Sequence, residues 1–186
     1  ILAGDALQSL AFQVLGQDAA TVADPAIRLR MLGVLAQAAG SRGMAGGQAI
    51  DLAAVGQALT LAELEDMHIH KTGALIRASV LLGALSQPVV EPAVLERLDH
   101  YAKCIGLAFQ IRDDILDVIG DAATLGKNTG ADRALAKPTY PALLGLEGAR
   151  EHARMLHEEA LASLQPLGPE AEPLRGIASY VVERAY

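Results

Sequence analysis

The segment Gln110-Ile111-Arg112-Asp113-Asp114-Ile115-Leu116-Asp117 holds the residue types best suited to chemistry. On a helix Asp113 and Asp117 stand one turn apart and share a face, with Gln110 three residues before Asp113 on the same side. Counting back at about 100° per residue brings Gly106, Lys103 and Asp99 onto that side as well. The remaining faces carry Leu98, Tyr101, Ile105, Phe109 and Leu116, which are core-type residues. A polar stripe on a mostly apolar helix must face solvent or a polar cavity. Carboxylates at i and i+4 repel, and a divalent cation would offset that repulsion. The donors are all oxygen, which suits Mg²⁺ and not zinc. A solvated acidic face is the alternative that the spacing leaves open.

Three further segments could serve a ligand. Thr124-Leu125-Gly126-Lys127-Asn128-Thr129-Gly130 and then Lys137-Pro138-Thr139-Tyr140-Pro141 follow the acidic helix. Glycines there allow close backbone approach and the lysines supply point charges for phosphate, although a plain surface loop fits equally. In His68-Ile69-His70-Lys71-Thr72-Gly73 the histidines at i and i+2 point to different sides of a helix. They are read as capping or packing residues, while Lys71 and Thr72 could reach an anion or simply close a helix end. Gly46-Gly47-Gln48-Ala49-Ile50-Asp51 pairs two glycines, a device for close helix approach, with polar Gln48 and Asp51 on one side.

The elements that must position these residues are helices. The 186 residues are 52% hydrophobic but only 3% aromatic, with Ala and Leu dominant, and that composition favours helix packing over strand pairing. One domain spanning residues 1–186 is expected at this length. A net charge of −7 argues against nonspecific nucleic-acid binding. It leaves room for a phosphate ligand, because a few lysines and a metal can reverse the sign of a pocket. Cys104 has no second cysteine to pair with. Despite a mean hydropathy of +0.28, Asp5 and Arg77 interrupt the apolar runs, and a span needs about 20 apolar residues in succession. No basic segment followed by an apolar run marks a signal peptide.

Apolar spacing predicts helices over about 1–15, 25–39 after the Asp24-Pro25 cap, a third running to about Val55 and ended by Gly56, with Gly40-Ser41-Arg42-Gly43 either breaking or beginning an element, and a fourth from the Thr60-Leu61-Ala62-Glu63 capping box onward. Gly73 is expected to interrupt that last helix before the pattern resumes over 74–85. The longest helix is expected over about 92–119, then a polar loop over 120–138, a helix over 139–164 and a short C-terminal helix after the prolines at 166, 169 and 173. The expected fold class is all-α.

Taken in order, the chain resembles the short-chain trans-isoprenyl diphosphate synthases. The resemblance runs through Leu2-Ala3-Gly4-Asp5-Ala6-Leu7, Gly46-Gly47-Gln48-Ala49-Ile50-Asp51-Leu52, His70-Lys71-Thr72-Gly73-Ala74-Leu75-Ile76, the segment 106–117, Leu125-Gly126-Lys127 and the segment 137–147. Each piece alone has a bland reading, but five or more in family order leave little room for chance. The resemblance implies a helical bundle around a central cavity, built as a cytoplasmic homodimer with no membrane or nucleic-acid partner. It makes Asp113, Asp114 and Asp117 the second of two aspartate-rich Mg²⁺ sites. It places Lys71 and Lys127 on an allylic diphosphate, Thr72 and Gln110 beside the reacting carbon, and Gln48 among the substrate-binding residues.

The implied reaction condenses isopentenyl diphosphate with dimethylallyl or geranyl diphosphate to give farnesyl diphosphate. Three alternatives accompany it: a geranylgeranyl diphosphate synthase, a non-catalytic regulatory subunit of the same fold, and a terpene cyclase. Lys71, Lys127 and the segment 137–141 speak against the cyclase. The first aspartate-rich motif expected of the family does not occur in this sequence, which opens on Ile1 within a helical pattern. The expectation is therefore of a C-terminal portion with little turnover by itself.

Overall fold

A computed structural model of the chain describes residues 1–18, 22, 24–124 and 138–184, with the backbone alone for 121–124. Eight α-helices account for the fold among these residues: α1 Leu2–Gln17, α2 Pro25–Ala39, α3 Met44–Ala53, α4 Leu61–His68, α5 Ala74–Leu85, α6 Pro92–Thr124, α7 Tyr140–Leu164 and α8 Glu172–Glu183. No strand occurs among them, so the all-α expectation holds.

The helix starts are set locally. Asp24 caps α2 by accepting from the Ala26 amide at 2.8 Å, with Pro25 at the first helical position. Thr60 and Glu63 form the capping box read from the sequence, the Glu63 carboxylate accepting from the Thr60 amide at 2.8 Å. Thr139 caps α7 by accepting from the Ala142 amide.

Three features differ from expectation. Gly73 does not break the helix between α4 and α5; residues Ile69–Gly73 widen into a π-helical turn whose flanking residues keep helical backbone angles. The interruption visible in the sequence is thus a change of helical pitch, a feature that frequently accompanies functional sites. Helix α6 runs on to Thr124, past Gly120, so the start of the expected loop is helical. Helix α7 is kinked at Gly145, whose φ of 72° is a conformation side-chain-bearing residues rarely adopt.

Helix α6 lies at the centre, packed against α5, α7 and α8. Leu98, Tyr101, Ala102, Ile105 and Ala108 of α6 meet Ala160 and Leu164 of α7 and Ala178 and Val181 of α8 in one apolar cluster. Further along α6, Ile111 and Ile115 join Leu64, Met67, Tyr140, Ala149 and Ala153 in a second. Of the residues assigned to the core by helical spacing, Leu98, Tyr101 and Ile105 are buried and Phe109 and Leu116 half-buried, while Gln110, Asp113 and Asp117 belong to neither cluster. Helix α1 buries none of its residues, and Leu2, Leu7 and Leu10 stand exposed along it. No helix among the described residues is long and apolar enough to cross a membrane.

Candidate active site

The π-turn aims its side chains at two neighbouring helices. Thr72 Oγ1 donates to Gln110 Oε1 of α6 at 2.6 Å. Lys71 Nζ pairs with Asp51 Oδ2 of α3 at 2.7 Å, and Asp51 is buried. Helix α3 can come this near because Gly47 has no side chain: a Cβ there would overlap the Lys71 backbone nitrogen and Cα. The paired glycines noted in the sequence thus bring Asp51 to Lys71. Gln48, on the same helix, is exposed and shares no hydrogen bond with Lys71, Thr72 or Gln110.

One turn beyond Gln110 come the carboxylates. Asp113 pairs with the Arg184 guanidinium, which also stacks over the Phe109 ring, 4.1 Å from its centroid. Arg184 donates to the Phe109 carbonyl at 3.2 Å, while Arg112 Nε donates to the Arg184 carbonyl at 3.0 Å. Asp114 Oδ2 accepts from the Tyr140 amide at 2.9 Å and so anchors the first turn of α7. Asp117 is exposed. Burial pushes the Asp114 carboxyl up to about 6, and the charges of Asp117 and Asp113 push the same way. The Tyr140 amide and the more distant Lys71 oppose the rise.

Three carboxylates within two helical turns, one of them driven toward protonation by burial and by its neighbours, form an oxygen-only donor set that fits a hard divalent cation. Asp113 and Asp117 present oxygens from one face, and the third, Asp114, is committed in part to Tyr140.

The structure therefore gathers Lys71, Thr72, Gln110 and Asp113 along the junction of the π-turn with α6 and adds Asp51 to them. Lys127 and Lys137 lie outside the described residues. Arg184 went unnoticed at the sequence level. Its only sequence signal is a lone arginine just past an amphipathic helix, and nothing in that pattern says that the helix ends beside Asp113. The two histidines pack as expected: His68 is buried and stacked on Tyr140 with ring centroids 5.7 Å apart, and His70 Nδ1 lies 2.8 Å from the Asp66 carbonyl.

Comparison with known proteins identifies the family. The polyprenyl synthetase family pattern matches residues 1–166. Farnesyl diphosphate synthase of Escherichia coli K12 is 52% identical over 99% of this chain and 62% of its own length. An FPP/GFPP synthase structure from Zymomonas mobilis superposes with a TM-score of 0.84 at 41% identity, over 97% of this chain and 59% of that one. The geranyltransferase of Helicobacter pylori, solved in complex with magnesium and isoprenyl diphosphate, superposes at 0.77 with 32% identity, over 97% and 58%. The chain thus spans about three-fifths of the length of the relatives it matches. A match over most of the chain in both sequence and fold leaves one assignment: the chain belongs to the polyprenyl synthetase family.

Proposed function

We propose that the protein to which this chain belongs is a Mg²⁺-dependent short-chain trans-prenyltransferase. It condenses isopentenyl diphosphate with dimethylallyl or geranyl diphosphate and releases farnesyl diphosphate. The observation that carries this reading is the Thr72–Gln110 hydrogen bond, which sets two neutral oxygens one helical turn from the Asp113 carboxylate. Neutral oxygens beside an anionic metal-binding face suit a reaction that separates a carbocation from a departing diphosphate. The relatives' names and the magnesium complex of the Helicobacter pylori protein support it.

Asp113, Asp117 and Asp114 would hold Mg²⁺, which when bound supplies positive charge to the diphosphate. Lys71 adds a fixed positive charge, held in place by Asp51. As the allylic C–O bond breaks, its electron pair leaves with the diphosphate, and Lys71 stabilises the charge that develops there. The Gln110 amide oxygen, the Thr72 oxygen and the Lys71 carbonyl oxygen stabilise the allylic cation without bonding to it. The isopentenyl double bond supplies the pair for the new C–C bond, and loss of a proton to the diphosphate restores an alkene. Water must be excluded, since it would capture the cation.

The chain is further proposed to act as one domain, since the two larger apolar clusters share α6, within a cytoplasmic homodimer. The test is incubation of the full-length protein with Mg²⁺, labelled isopentenyl diphosphate and each of dimethylallyl, geranyl and farnesyl diphosphate. Asp113→Ala serves as the comparison and chromatography reads product length. A fifteen-carbon product that needs Mg²⁺ and is largely lost in the variant is expected. A folded protein that elongates no allylic substrate would sink the proposal.

A further inference from the structure

A cavity of about 560 Å³ opens between α2, the π-turn, α5, α6 and α7; Ile69, His70 and Gly73 of the π-turn line it, but Lys71, Thr72, Gln110, Asp113, Asp114 and Asp117 do not. On one wall three side chains with metal-binding atoms converge. His100 and Cys104 stand at i and i+4 on α6, hence on one face, and Glu159 reaches toward them from α7. Cys104 Sγ lies 3.8 Å from His100 Nε2 and 3.8 Å from Glu159 Oε2, and the three donor atoms are all within 4.8 Å of one another.

We infer that His100, Cys104 and Glu159 form a binding site for one borderline-soft divalent transition-metal ion of the Zn²⁺ or Co²⁺ class. A tetrahedral ion with bonds of about 2.0–2.3 Å holds its ligand atoms roughly 3.3–3.7 Å apart. Both sulfur distances already approach that spacing. His100 and Glu159 are exposed, so rotation of their side chains closes the remainder, while buried Cys104 supplies the rigid point. At 3.8 Å the thiol makes only weak hydrogen bonds with these neighbours, and metal bonds would replace them.

The donor chemistry points the same way. One sulfur, one imidazole nitrogen and one carboxylate oxygen form a set that zinc and cobalt accept and magnesium does not. This separates the site from the oxygen-only aspartates of α6. Loading breaks the Cys104 S–H bond and forms a sulfur–metal bond, the proton passing to solvent. Thiolate plus carboxylate then balance the charge of the divalent ion. Three protein ligands leave a fourth position, and the cavity lined by all three residues gives it room for water or another small ligand.

The test is a Co²⁺ titration of the full-length protein in excess Mg²⁺, so that oxygen-only sites are occupied beforehand. The expected result is a thiolate-to-cobalt charge-transfer absorption that saturates at one equivalent and is abolished by Zn²⁺. The absorption should vanish in Cys104→Ala, a small apolar replacement whose folding is checked by circular dichroism. In His100→Ala and Glu159→Ala the affinity should fall at least about tenfold. Two results would overturn the inference: no charge-transfer band with Co²⁺ in excess, or a band whose affinity is the same in His100→Ala and Glu159→Ala as in the parent. The second outcome would mark a thiol binding cobalt by itself.

Discussion

Thr72 Oγ1 donates a hydrogen bond of 2.6 Å to Gln110 Oε1, joining a π-turn to a helix across 38 residues of sequence. The bond uses the only proton of the hydroxyl, which leaves the Thr72 oxygen with lone pairs to offer. It also turns the Gln110 oxygen toward the π-turn. Thr72→Val keeps the shape and removes the hydroxyl. Its expected cost in stability is about 1 kcal/mol, and its expected cost in kcat is about 10²-fold. Steady-state kinetics of the full-length protein, together with urea denaturation, separates the two. A kcat unchanged by the substitution would remove Thr72 from the mechanism.

Gly47 faces the Lys71 backbone so closely that any side chain must displace one of the two helices. Gly47→Ala should destabilise the protein by about 1–3 kcal/mol, the usual range for overpacking. It should also weaken allylic diphosphate binding, because Lys71 and Asp51 move apart. Thermal melting and the KM for the allylic substrate check both. Gly46→Ala does not provide a clean control, since a Cβ there would overlap the Ser41 carbonyl oxygen.

Arg184 joins α8 to α6 by its ion pair with Asp113, its bond to the Phe109 carbonyl and its stacking on the Phe109 ring. Removing a half-buried charge with three partners should cost more than a surface pair does. Arg184→Ala is expected to lose about 2 kcal/mol, and Arg184→Lys, which keeps the charge but not the planar stacking, about half of that. Urea denaturation at neutral pH makes the comparison. Equal stability of all three proteins would show that the contacts are not formed in solution.

His68 is buried against Tyr140, and neither ring nitrogen has a hydrogen-bond partner among the described residues. Burial, with Lys71 second, holds its pKa down at about 4 from an ordinary 6.5, and Asp51 acts in the opposite sense. The folded state therefore prefers the neutral ring. The unfolded chain binds more protons between pH 6.5 and 4, so stability is fully present above about 6.5 and is lost as pH falls through that window. The loss expected from this one group is about 3 kcal/mol. His68→Leu should flatten the dependence of unfolding free energy on pH in that window, which denaturant titrations at several pH values would read. An unchanged slope in the variant would assign the acid lability to other groups.

A single Tyr hydroxyl also joins distant parts of the core: Tyr101 Oη donates to the Leu174 carbonyl at 2.7 Å, linking α6 to α8. Tyr101→Phe leaves that half-buried carbonyl without this donor and should cost about 1 kcal/mol in stability. Calorimetric melting would measure it, and catalysis should be untouched because the ring lies in the apolar cluster away from Gln110.

Local chemistry made much of this protein readable. The caps at Asp24, Thr60 and Thr139 act over two or three residues, and the amphipathic spacing of α6 separates Ile111 and Ile115 from Gln110 and Asp113 without reference to any other helix. The π-turn was only half visible. Gly73 announced an irregularity, but whether a helix breaks or widens depends on the packing of α3 and α6 around it, which spacing does not encode.

What the sequence by itself determined is the helical class, most helix starts and the shared face of Gln110, Asp113 and Asp117, because each depends on contacts within a few residues. The tertiary structure alone decided that Asp51 holds Lys71, that Arg184 reaches Asp113, that Tyr140 occupies part of Asp114, and that Glu159 approaches Cys104. Those partners lie 20, 71, 26 and 55 residues apart. They meet only where packed helices carry them, and packing is a property of apolar faces distributed over the whole chain.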